Sequence, residues 1–212
     1  TSPHLKDFRE RIKINGKPIP KSEVIKFIIQ NKKKFNSIQP SFFEWTFALA
    51  SNYFAEQKVE IAIIETGMGG RLDSTNVVKP ILCCITNIDF DHTQFLGTTL
   101  HAIATEKAGI IKPGIPIIIG ESNEETAKVF VDFAKKFKSD LIFADKEYDI
   151  LSSEIISAKT PLLKVNYQAS SRRKIILKSP LTGTYQLKNL RNVLSITSRI
   201  GTLGFPVSES QI

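Results

Sequence analysis

The chain has 212 residues, 42% of them hydrophobic and 24% charged, which is ordinary globular composition and enough for a sizeable core. No apolar stretch approaches the roughly 20 residues of a membrane-spanning helix. The net charge of +8 favours polyanionic partners. Neither basic run, 32–34 or 172–174, carries interleaved aromatics or a nucleic-acid motif, so nucleic acid is not an expected partner.

In chain order, residues 11–19 read as a hairpin around Asn15-Gly16, a strong turn dipeptide. Pro20-Lys21-Ser22 begins a helix whose Val24, Ile25, Phe27, Ile28 and Ile29 make a wide apolar face and which Lys32, Lys33 and Lys34 close, where cations complement the helix dipole. A second helix runs from Pro40-Ser41 to about Gln57, with Phe43, Phe47, Ala50 and Phe54 at helical spacing. Apolar strands are expected at 59–65, 81–88, 115–119 and 141–144, separated by a glycine loop at 66–76 and helices at 99–108 and 124–137. Near-continuous apolar strands alternating with helices predict a parallel sheet covered on both faces. From Tyr148 to Lys178 short runs at 162–167 and 174–177 lose the helical period and predict a small antiparallel appendage, within about 145–180. A final amphipathic helix covers 185–203. The expectation is one domain with a β-rich insertion. Cys83 and Cys84 are adjacent in a strand, face opposite sides and cannot pair with each other; two reduced core thiols, and no signal peptide at Thr1-Ser2-Pro3-His4, point to the cytoplasm.

Polar residues concentrate between Glu65 and Lys112. Glu65 ends the first long strand, His92 follows Asp89-Phe90-Asp91 after the second, and Lys107 lies on the next helix among Ala104, Ala108, Gly109, Ile110 and Ile111. Ligands of open α/β sheets sit past the carboxyl ends of strands, so these three are candidates to meet around one charged ligand or metal. A Glu and a neutral His suit a hard ion that keeps waters and phosphate oxygens. A buried Lys loses its charge or reacts, and a carbamate would make it an anionic ligand. The loop Gly67-Met68-Gly69-Gly70 is neither a dinucleotide fingerprint, since Leu72 stands where the third glycine belongs, nor a Walker A loop. It reads equally as a tight turn and as a ligand loop, and Arg71 and Asp73 tilt it toward the ligand.

Thr1-Ser2-Pro3-His4-Leu5, the run Glu65 to Asn76 (E-T-G-M-G-G-R-L-D-S-T-N), residues 91–100 (D-H-T-Q-F-L-G-T-T-L), residues 103–112 (I-A-T-E-K-A-G-I-I-K) and Tyr185-Gln186-Leu187-Lys188-Asn189 together resemble the folylpolyglutamate synthase/dihydrofolate synthase family of Mur-type ligases. The resemblance implies a three-layer α/β central domain of P-loop type and an ATP-dependent amide ligase that joins L-glutamate to folate or dihydropteroate through an acyl phosphate. It implies Mg2+ held by Ser2, Glu65 and His92, and a carbamylated Lys107 that helps place a second Mg2+ or the γ-phosphate. It also implies a pterin pocket from Ser41, Phe42, Phe43, Glu44, Leu72, Asp73 and Ser74, with Asp73 accepting ring N–H groups, and an adenine contact at Asn189. The family's P-loop strand and helix would precede Thr1 and its C-terminal ligase domain would follow Ile212. The expectation is therefore a central fragment of residues 1–212 that lacks its first β-α unit, is inactive alone and has those flanking segments as its partners. A cell-wall-precursor ligase and a non-catalytic module of the same fold are the alternatives.

Overall fold

The structure, a computed structural model, describes residues 1–90, 92–157 and 159–208. Asp91 of the expected strand-end motif lies outside the described residues. The chain divides into two compact units, Thr1–Val78 and Lys79–Ile212.

In the first unit a 3₁₀ turn, Phe8–Arg11, is fastened by Asp7, whose side chain accepts from the Arg9 N–H while Glu10 reaches back to the cap backbone. The predicted hairpin forms from β1 (Lys13–Ile14) and β2 (Lys17–Pro18), paired antiparallel. Asn15 and Gly16 both take positive φ, 50° and 77°, as a two-residue turn of this twist requires. Helix α1 spans Lys21–Ile38 and α2 spans Phe42–Glu56. The lysines do not close α1. The helix runs past them to Gln39 in the left-handed conformation, because Phe35 packs on Trp45 and Phe27 and Pro40 then stops it. No basic residue lies in its last turn, so the expected dipole role of Lys32–34 falls away. Ile12, Ile19, Phe27, Leu49 and Tyr53 form the core.

Residues 59–65 carry no ladder, which corrects the expected strand. Ile61 and Ile63 are 43% and 93% exposed, and an apolar run becomes a strand only where its backbone groups find a partner.

The second unit is built on a parallel sheet of β3 (Cys83–Ile85), β4 (Ile117–Ile119) and β5 (Leu141–Phe143), in that order. Short α3 (Thr93–Leu96) precedes α4 (Leu100–Ala108), capped by the Thr99 hydroxyl; α5 (Glu124–Phe137) is capped by Asn123. Ala104 and Ala108 from α4 and Val129 and Phe130 from α5 cover one face, against Cys83, Ile85, Ile117 and Ile119. The other face, Ile118 and Ile142 with Cys84, meets Ile196 of α7 (Gln186–Thr202) and Ala144 of the one-turn α6 (Ala144–Glu147). This is the predicted three-layer α/β arrangement. The adjacent cysteines do face opposite layers, and burial pushes their thiols up to about 11 and about 12. The appendage is an antiparallel meander of β6 (Tyr148–Ile156), β7 (Leu162–Ala169) and β8 (Lys174–Ser179). Leu163, Val165, Tyr167 and Leu177 alternate onto its inner face and pack against Leu194 of α7; the Tyr167 hydroxyl donates to the Leu187 carbonyl at 2.6 Å. No helix among the described residues is long and apolar enough to cross a membrane.

Candidate functional site

In the first unit, the loop after residue 65 is organised by one carboxylate. Asp73 Oδ2 accepts from the Gly67 and Met68 N–H groups at 2.8 and 2.9 Å. Its Oδ1 accepts from the Thr75 N–H at 2.9 Å and from the Thr75 hydroxyl. A carboxylate offers about four lone-pair sites, and the loop itself occupies all of them. Asp73 is also the cap of the 3₁₀ turn Ser74–Val77. Gly69, at φ 66°, supplies the left-handed step that brings the chain back toward Asp73. Leu72 is 79% exposed at the tip. Thr75, buried beneath, was not singled out from sequence; its signal is the Asp-x-Thr spacing, in which an Asp side chain commonly takes the N–H two residues on.

The start of α2 meets this loop. The Ser41 hydroxyl accepts from the Glu44 N–H, and the Glu44 carboxylate accepts from the Ser41 N–H at 2.6 Å, a reciprocal cap. That N–H bond holds the Glu44 carboxyl below its ordinary range. Phe43 lies against Gly67 so closely that a Cβ there would stand 2.7 Å from the ring. Phe42 turns elsewhere, edge-on to Phe8 at 5.6 Å, with the Arg11 guanidinium 5.4 Å from its ring centre. It borders an open apolar cavity of about 370 Å3 with Phe8, Val24, Ile28, Trp45 and Leu49. The two neighbouring phenylalanines, grouped together from sequence, thus serve different surroundings. The Ser2 N–H donates to Glu65 Oε2 at 3.0 Å, so these two expected metal ligands are neighbours, and Glu65 keeps half its side chain in solvent.

In the second unit, His92 is exposed and sits just before α3 with φ 48°, a left-handed conformation that is uncommon outside glycine. Its carbonyl accepts the Phe95 and Leu96 N–H groups. Lys107 lies in the last turn of α4 and is partly exposed, which corrects the expectation of a buried amine. The alanines beside it, Ala104 and Ala108, are the groups that are buried. Asn189, in the first turn of α7, is exposed and donates to Gln186 Oε1 at 3.2 Å. Among the described residues no three His, Cys, Asp or Glu side chains form a ready metal cage. The oxygen donors Ser2 and Glu65 fit a hard divalent ion that draws most ligands from water and phosphate.

Parallel strands covered on both faces, polar residues in the loops beside them and a β-meander appended define an α/β domain of the kind that binds ligands at its strand ends. The profile of the Mur ligase middle domain matches residues 21–196, and the chain belongs to that family. It is 37% identical over 196 residues to a dihydrofolate synthase/folylpolyglutamate synthase of Bacillus subtilis, covering 89% of this chain and 45% of the relative. A solved FPGS–AMPPCP–folate complex superposes with a TM-score of 0.91 at 29% identity, over 100% of this chain and 53% of that one. A bifunctional folylpolyglutamate synthase/dihydrofolate synthase with Mn, AMPPNP and L-glutamate bound gives 0.72 at 28%, over 92% and 45%. The chain spans about half the length of these relatives.

Proposed function

We propose that the chain is the central, nucleotide-handling part of a cytoplasmic ligase that joins L-glutamate to a folate or to dihydropteroate at the expense of ATP. The observation that carries this reading is the superposition of the whole chain on a structure whose ligands are an ATP analogue and folate. In the proposed reaction a substrate carboxylate oxygen attacks the γ-phosphorus of ATP. The bond to the bridging oxygen breaks and ADP leaves. The glutamate amine then attacks the acyl carbon, losing a proton as the C–N bond forms, and inorganic phosphate departs.

Charge builds on phosphate oxygens throughout, so positioning and electrostatics supply most of the rate. Ser2 and Glu65 in the first unit, and His92 and Lys107 in the second, are the residues we assign to divalent-metal binding, which would supply positive charge to offset the charge on the phosphate oxygens. The Glu65 side chain is half exposed to solvent, and the left-handed backbone at His92 is the kind of outlier found at functional loops. Carbamylation of Lys107 would add an anionic oxygen donor at a partly exposed amine. Phe43 and the 72–74 segment border the pterin site in this reading, and Asp73 acts there by shaping the loop wall. Asn189 reads the adenine.

The test is product formation by the full-length protein with ATP, Mg2+ and L-glutamate. The expected result is glutamylated product from dihydropteroate or a reduced folate and none from a UDP-linked cell-wall precursor. Product from the cell-wall precursor, or none from either pterin, overturns the assignment. Asp73→Ala should raise KM for the pterin substrate much more than KM for ATP.

A further inference from the structure

The first turns of α7 are tied to the carboxyl end of β4 by polar contacts separate from the apolar packing that docks the helix. Lys188 Nζ lies 2.7 Å from Glu121 Oε1, and Arg191 Nη2 lies 3.9 Å from the same oxygen. Arg191 Nη2 also donates to the Gly120 carbonyl at 3.2 Å, with only 11% of its side chain exposed. Asn192, 3% exposed, presses its amide against Gly120, where a Cβ would stand 2.4 Å from Oδ1 and 2.6 Å from Nδ2. The Gly120 N–H in turn donates to the Ile85 carbonyl at 2.8 Å, at the end of β3. One glycine residue therefore joins two strand ends to one face of α7.

Stability does not explain this set. Leu187, Leu190 and Leu194 already pack α7 on the meander, and Ile196 packs it on the parallel sheet. An ion pair as exposed as Lys188–Glu121 contributes little. Arg191 Nε and both amide atoms of Asn192 are buried with no hydrogen-bond partner among the described residues, which is a cost that apolar side chains would avoid. Apolar packing is non-directional, whereas a hydrogen bond to a fixed carbonyl sets the rotation of a helix about its axis. Residues 188, 191 and 192 share a face, and Asn189 is the i−3 neighbour of Asn192 beside it.

We infer that Arg191, anchored on Gly120 and Glu121, is a positioning residue for the nucleotide, holding α7 in the rotation that presents Asn189. This rests on the proposed adenine contact at Asn189.

The experiment uses steady-state kinetics of the full-length protein with Arg191→Met, Arg191→Lys, Glu121→Gln and Asn189→Ala. Arg191→Met should raise KM for ATP about fivefold or more, while kcat at saturating ATP and KM for the pterin substrate move less than about twofold. Its melting temperature should hold or rise, and Arg191→Lys, which keeps a donor, should recover part of the ATP affinity. Glu121→Gln should give a smaller shift of the same kind and carries the test if Arg191→Met does not fold. An unchanged KM for ATP in Arg191→Met and Glu121→Gln, or equal losses for all substrates, overturns the inference. If Asn189→Ala raises KM for ATP while those two do not, the latch is wrong and the adenine contact stands. If Asn189→Ala leaves KM for ATP unchanged, the adenine contact is wrong and the latch falls with it.

Discussion

The Asp73 carboxylate accepts the Gly67 N–H across six residues, at 2.8 Å, and so closes the glycine loop on itself. With its other acceptances from Met68 and Thr75, one side chain fastens both ends of the loop. Removing it leaves two loop N–H groups and the Thr75 pair without their acceptor. Asp73→Ala should destabilise the chain by about 1–3 kcal/mol, with water recovering part of the loss at this partly exposed site, and Asp73→Asn by less because one acceptor oxygen remains. Denaturant unfolding of the two variants beside the wild type checks this; equal stability for all three would show that the loop does not depend on the carboxylate.

Gly120 offers a sharper packing test. A Cβ at this position would stand 2.2 Å from the Thr86 carbonyl oxygen as well as against the Asn192 amide. Backbone cannot swing aside as a side-chain end can, so Gly120→Ala should cost about 2–3 kcal/mol or more. Gly201→Ala, with open space at its Cβ, is the control and should be neutral or mildly stabilising because it sits within α7. A soluble Gly120→Ala protein with wild-type stability would contradict the described junction of β3, β4 and α7.

Cys83 and Cys84 lie on opposite faces of one strand, and burial raises both thiols from 9.0, to about 11 and about 12. The native state therefore favours the neutral thiol. This contribution to stability is fully present below the unfolded value near 9 and is lost as pH rises toward 11 and 12. At pH 8 the thiolate fraction of Cys83 should be about 100-fold lower in the native than in the unfolded chain, and alkylation correspondingly slow. Timed alkylation with and without denaturant measures it. Equal rates would mean that the sheet faces are not buried.

Much of the second unit was legible because its signals are local. The isoleucine run at 117–119 stands between helices that Thr99 and Asn123 cap, and the apolar run Leu141–Phe143 follows the second of them. The hairpin at Asn15-Gly16 was equally plain, since both residues tolerate positive φ. What sequence could not supply was partnership. Residues 59–65 have the composition of a buried strand, yet pairing is a property of the neighbour, and α1 outran its lysines because Phe35 had Trp45 to pack against. The candidate site was legible as residue types and spacing. The division of labour within it was not: Phe42 and Phe43 part company at one helix end, and Asp73 spends its lone pairs on its own loop. Lys107 read as buried because its alanine neighbours are, while a long side chain can leave a buried helix face for water. The contacts at Gly120 leave no local signal, because Glu121 and Arg191 are 70 residues apart and each alone looks like a surface charge.

The proposed site depends most on Lys107, and one measurement reaches it directly: the initial rate of glutamate addition by full-length Lys107→Ala at saturating ATP, Mg2+, pterin substrate and glutamate. Lys107 is partly exposed at a helix end, so alanine there should leave the melting temperature within a few degrees of wild type, about 1 kcal/mol or less. The rate should fall by about 1,000-fold or more, as loss of a charge-stabilising group in the transition state requires. A folded Lys107→Ala enzyme turning over near the wild-type rate would remove this residue from the chemistry and contradict the site as assigned.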